Sequence, residues 1–122
     1  MITIKRAYED ASPDDGRRFL VERLWPRGVR KADLGIEAWL KDASPSPDLR
    51  TWYGHDPEKW PEFRERYRAE LEAEPAAWQP LLDAARDGDV TLVYAARDTE
   101  RNSAAVLRDL LTERLEDVSQ HR

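Results

Sequence analysis

Six basic residues fall between positions 17 and 31: Arg17, Arg18, Arg23, Arg27, Arg30 and Lys31, against the single acid Glu22. This window is net cationic by five charges, whereas the whole chain carries −5. A local excess of this kind binds an anion without making the protein generally basic. At its centre is the run RLWPRGVRK. Arginine suits phosphate and carboxylate because its planar fork donates two parallel hydrogen bonds. Pro26 sets φ, Gly28 allows a turn that a β-carbon would hinder, and Trp25 offers a flat face to a ring or to the core.

A second group lies at AARDTERNS, where Arg97 and Asn102 precede the last helical pattern. The first N–H groups of a helix have no partner within it and sit at its positive end, so they favour an anion. Tyr94 closes the strand just before. His55 lies beside Asp56 in YGHDP, and a histidine next to a carboxylate can act as general acid or base. The candidate proton carriers are therefore His55 and Tyr94. The candidate ligand contacts are Arg23, Trp25, Arg27, Gly28, Arg97 and Asn102.

Plainer accounts exist for each. Trp25 fits core packing better than ligand contact, and Arg23 fits an ion pair. Pro26 and Gly28 serve any turn. Asp56 serves as a helix cap with His55 in an exposed loop, the better-supported account because no nucleophile stands at a fixed spacing. Arg27 divides evenly between the two accounts.

Other chemistries lack their residues. The chain has no cysteine, which removes disulfides, thiolate catalysis and cysteine-bound zinc. Its histidines are His55 and His121, the latter in the terminal segment, so no zinc or iron site is expected. There is no dinucleotide fingerprint, Walker loop, HExxH, GxSxG or EF-hand loop. Asp14 with Asp15, and Asp87 with Asp89, flank turns and are weak as paired catalytic carboxylates. A carboxylate-and-magnesium site stays open, and the cofactor is left unassigned.

The elements that must carry these residues are legible in outline. ITIKRAY, residues 2 to 8, alternates as a strand. Residues 18 to 25 read as a second strand, bounded by Gly16 and by Pro26 and Gly28. Residues 36 to 42 and 47 to 53 read as short helices, the second with Ser46 as cap, Pro47 at its first position and Gly54 as its stop. Trp60, Phe63, Tyr67 and Leu71 form one apolar stripe on a helix that Pro61 interrupts after its first turn. Trp78, Leu81, Leu82 and Ala85 repeat the pattern up to Gly88. Residues 89 to 95 form the strongest strand, and Val106, Leu107, Leu110, Leu111 and Leu115 define the last helix.

The order predicts an α/β fold: a small three-stranded, mostly parallel sheet with about five helices around it. The short link between the first two strands leaves their mutual direction open. In such sheets ligands bind outside the carboxyl ends of the strands, where WPRGVRK and AARDTERNS both lie.

The 122 residues suit a single domain, expected over 1–116, with 117–122 as a loose flexible tail. Charged residues make up 37% of the chain, but five tryptophans and four tyrosines argue for a packed core. MITIKRAYED lacks the apolar stretch of a signal peptide, and no run is long enough to span a bilayer, so a cytoplasmic protein without membrane association is expected. Net acidity weighs against general nucleic-acid binding.

In order along the chain, KRAY, RLWPRGVRK, PSPDLRTWYGH, FRERY, VTLVYAA and the Asn before the last helix together resemble the family of domain of unknown function 488, in its short YeaO-like form. The match runs from Lys5 to about Leu115. The resemblance implies a compact α/β domain in bacterial cytoplasm, and it marks Arg23, Trp25, Pro26, Arg27, Gly28, His55, Tyr94 and Asn102 as motif positions. Longer relatives carry cysteines around the third strand and the turn after it. This chain has none, so no cysteine chemistry carries over.

Three functional readings follow. The preferred one is a protein binding a small phosphorylated or nucleotide-like anion at the Arg/Trp-rich carboxyl edge, with enzyme activity left open. The others are an accessory protein gripping single-stranded nucleic acid through the 17–31 patch, and an interaction module using the Trp-rich helices on a partner protein. Monomer and homodimer are equally compatible with the sequence.

Overall fold

The computed structural model describes residues 1–120, and side chains as far as residue 117. Four strands form one sheet: β1 (Ile2–Arg6), β2 (Arg17–Leu20), β3 (Ala38–Trp39) and β4 (Val90–Tyr94). Their spatial order is β1-β4-β2-β3, and every pairing is parallel. The α/β class and the five helices agree with expectation: α1 (Lys31–Leu34), α2 (Pro47–Tyr53), α3 (Trp60–Ala73), α4 (Gln79–Asp87) and α5 (Ser103–Gln120). The sheet has four strands rather than three. β1 and β2 are parallel but not adjacent, because the last strand inserts between them.

β4 earns its central place by composition. All five of its residues are buried, and a strand covered on both faces reads as a continuous apolar run. Val90, Leu92 and Tyr94 face the helices with Ile2 and Phe19, while Val93 joins Ala7, Leu20 and Leu34 on the opposite face. α5 packs on β1 and β4, and α3 and α4 pack on α5. Phe63, Tyr67 and Leu71 fill this layer, with Trp60 partly buried at its margin. The Tyr67 hydroxyl donates to the Ala43 carbonyl. Burial holds this phenol far above its usual range.

Two local expectations change. Residues 36 to 42 do not form one helix; only Lys41–Ala43 makes a single 3-10 turn. Glu37 N–H donates to the Arg18 carbonyl at 2.7 Å and Leu40 N–H to the Leu20 carbonyl at 2.8 Å, which makes Ala38–Trp39 an edge strand. Tertiary pairing overrides local pattern here. β2 also ends at Leu20 rather than continuing to residue 25. Val21 N–H still reaches the Val93 carbonyl, and then the chain leaves the sheet.

The second face is closed by short segments rather than by a layer of long helices. Arg18 is buried there, donating to the Leu34 carbonyl through Nε at 3.0 Å and to Asp15 at 2.6 Å. Just before β2, Gly16 lets the chain pass close against Asp89, with φ of 65°. α5 runs to Gln120, within the segment expected as a tail. Residues 121–122, with His121, lie outside the described residues. No helix among those described is long and apolar enough to cross a membrane.

Candidate functional site

A cleft of about 480 Å³ opens beyond the carboxyl ends of β2 and β4. Its walls come from four places in the chain: Glu22 after β2, Ala95 and Ala96 after β4, Arg50 and Tyr53 on α2 with His55 just beyond, and Arg101 to Ser103 at the start of α5. Pro45, Pro47 and Phe63 complete it.

Local sequence explains how each wall is held. Ser46 caps α2 by accepting the Leu49 N–H at 3.2 Å, with Pro47 at the first turn. The same serine bonds to Glu70 through its own N–H at 2.9 Å and its hydroxyl at 2.6 Å, which ties α2 to α3. Gly54, in the left-handed region, ends α2 and donates to the Arg50 carbonyl at 3.1 Å. His55 follows with φ of 59°, a second left-handed residue and the only non-glycine of that kind among the described residues. That conformation disfavours side chains with a β-carbon, and the histidine, largely exposed, stands among the residues lining the cleft. Its ring lies 5.9 Å from the Tyr53 ring, which stacks on Phe63 at 4.2 Å.

The opposite wall is an aspartate-centred turn. Asp98 accepts the N–H groups of Glu100 and Arg101 at 2.9 and 2.8 Å and pairs with the Arg101 guanidinium at 3.3 Å. These N–H groups hold the Asp98 carboxyl below its ordinary value. Asn102 donates to the Asp98 carbonyl at 3.0 Å and accepts the Ala105 N–H at 2.9 Å, so it caps α5.

Glu22 joins the two central strands. Its Oε2 accepts the Ala95 N–H at 2.8 Å, and its carbonyl accepts the Trp39 indole N–H at 2.5 Å. Burial pushes its carboxyl up, while the Ala95 N–H and the charges of Arg50 and His55 pull it back. Burial also raises the Tyr53 phenol, with Asp98 adding to the effect.

Of the side chains singled out in the sequence, His55 and Asn102 line this cleft. Tyr94 ends β4 but is buried in the core, where burial and then Glu9 push its phenol up. Arg23 lines a different cavity of about 650 Å³ on the far side of the Ser44–Ser46 segment and donates to the Pro45 carbonyl at 3.4 Å. Trp25 anchors its turn, donating to the Val29 carbonyl at 2.7 Å and meeting Trp39 edge-on at 5.4 Å. Gly28 has φ of 79° in the same turn, while Arg27 and Arg97 are exposed outside the cleft.

Much of the basic window is internally neutralised. Arg17 pairs with Glu37 at 2.5 Å, Arg18 with Asp15 at 2.6 Å and Arg30 with Asp33 at 2.9 Å. Glu22, Arg50 and Arg101 escaped the sequence reading. A signal existed for Glu22, the lone acid in a basic window at a strand's end. Arg101 adjoins Asn102, and Arg50 falls on the same helix as the YGH turn. No group of three or more His, Cys, Asp or Glu among the described residues is arranged to hold a metal ion.

The architecture defines a small parallel α/β domain with a polar cleft at the carboxyl edge of its sheet. The chain belongs to the family DUF488-N3i, described as the inactive DUF488-N3 subclade, whose match covers residues 1–122. It is 46% identical over 113 residues to an uncharacterized protein of Mycobacterium tuberculosis (strain ATCC 25618 / H37Rv), covering 93% of this chain and 95% of that one. It is 42% identical over 110 residues to the uncharacterized protein YeaO of Escherichia coli (strain K12), covering 90% and 96%. No solved structure matches the chain.

Proposed function

We propose that this protein binds a small anionic ligand at the carboxyl-edge cleft and does not turn it over. One observation carries the reading: Arg50, His55 and Arg101 converge on a cleft large enough for a small metabolite, beside the capped start of α5. The position agrees with the general rule for ligands of open parallel sheets. The cations differ from the first expectation. Arg50 and Arg101 take the place of Arg23, Arg27 and Arg97 as the anion contacts, with Asn102 setting the start of α5. Tyr53 and Phe63 supply an apolar wall, and a phosphorylated or nucleotide-like ligand fits this mixture. The family's description as an inactive subclade favours binding over catalysis. His55 then serves as a contact rather than a proton carrier.

The test is a thermal-shift panel of nucleotides, sugar phosphates and sulfate. A ligand present at a hundred times its Kd stabilises the folded state by about 2.7 kcal/mol. At least one anion raises the wild-type midpoint. Arg50→Ala loses that response, and Arg27→Ala keeps it. Silence across the panel, or equal loss in both variants, refutes the reading.

A further inference from the structure

The cleft holds both signs of charge, and the fold keeps them apart. Glu22 is anchored by the Ala95 N–H, and Arg50 stands on a helix held at both ends by Ser46 and Gly54. Their charges influence each other, yet among the described residues Arg50 forms no ion pair with Glu22 or with any other carboxylate. Two opposite charges on long, mobile side chains would close on each other if the backbone let them meet. Here the backbone places them on different walls of one cavity.

The state of each group adds to this. The Oε2 of Glu22 is committed to Ala95, while its Oε1 has no hydrogen-bond partner among the described residues and is not sealed from solvent. Arg101 is already shared with Asp98. Arg50 is thus the unshared arginine of the cleft, and Glu22 the carboxylate opposite it. A simple anion entering here gains Arg50 but meets Glu22, a like charge. A molecule with an anionic end and a cationic or N–H-donating end satisfies both walls.

Resting on the anion-binding reading, we infer that the natural ligand is dipolar: its phosphate or carboxylate lies on Arg50, and a protonated amine or N–H group donates to the free oxygen of Glu22. Tyr53 and Phe63 line the path between the two ends. His55, across from Glu22, belongs to the anionic end.

The test uses matched probes that differ in the amine alone: phosphoethanolamine against ethyl phosphate, and β-alanine against propionate, by titration calorimetry at low salt. In the wild type the amine-bearing probe binds at least about tenfold more tightly than its partner, as expected where a site's polar group is left unpaired by the wrong ligand. Glu22→Gln keeps an oxygen for the Ala95 N–H but removes the charge, and it collapses the difference within each pair. Equal wild-type binding of phosphoethanolamine and ethyl phosphate overturns the inference while leaving the anion-binding reading intact. If neither phosphate nor carboxylate probe binds, and the anion panel above is also silent, the underlying reading falls and this inference with it.

Discussion

The carboxylate of Glu22 accepts the backbone N–H of Ala95 at 2.8 Å, joining the segments that leave two neighbouring parallel strands. The sheet ladder between β2 and β4 ends just before this point. A side chain continues it, so the carboxyl edge is braced and the cleft floor acquires a charge.

That charge is costly to keep ionised where it sits. Burial raises the Glu22 carboxyl above 4.5. A carboxyl raised in the folded state binds its proton more tightly there than in the unfolded chain, so stability falls as pH rises from about 4.5 through the folded value. Glu22→Gln removes this dependence. Melting curves from about pH 4 to about pH 7 show the variant gaining on the wild type as pH rises. A gap that is flat or that narrows with pH contradicts the placement of Glu22.

His55 holds a left-handed conformation that costs an ordinary residue about 1–2 kcal/mol. Glycine relieves that cost but adds unfolded-state entropy of about 0.4–1 kcal/mol. His55→Gly therefore leaves denaturant stability unchanged or raises it by up to about 1.6 kcal/mol, while weakening anion binding. A loss of stability above about 1 kcal/mol would show that the imidazole supports the fold instead.

Phe63 is 2% exposed and stacks on Tyr53 between the α3 layer and the cleft. Phe63→Ala costs about 3–5 kcal/mol, read by urea unfolding. A loss well below 1 kcal/mol would take α3 out of the core.

Gly16 has no room for a side chain. An added β-carbon would stand 2.3 Å from the Asp89 carbonyl oxygen, at a φ of 65°. Gly16→Ala costs about 3 kcal/mol, from strain and overpacking together. Gly28 has a similar φ but open space around it, so Gly28→Ala costs only about 1 kcal/mol. Equal effects at the two glycines would mean that the β2–β4 edge yields where Gly16 meets Asp89.

Much of this molecule was legible before any coordinates. Ser46, Pro47 and Gly54 mark α2 because capping and helix termination are contacts within a few residues. The spacing of Phe63, Tyr67 and Leu71 announced a buried helix face, and residues 89 to 95 announced the central strand. Their order pointed to the carboxyl edge after β2 and β4, where a cleft lies. The α/β class and the family followed from the same motifs.

The parts that escaped are those made by distant partners. Ala38–Trp39 looks helical in its own neighbourhood and becomes a strand only because Arg18 and Leu20 offer carbonyls beside it. The cations in RLWPRGVRK looked like one patch, yet Arg23 turns to another cavity and Arg27 to the surface. Arg50 and Arg101 are far apart in the chain and meet at one cleft through the α2 turn and the start of α5. Local order is written in short-range sterics and hydrogen bonding, which a sequence displays directly. A site is a set of directions in space, and those emerge only after the sheet has chosen its strand order and the helices have packed upon it.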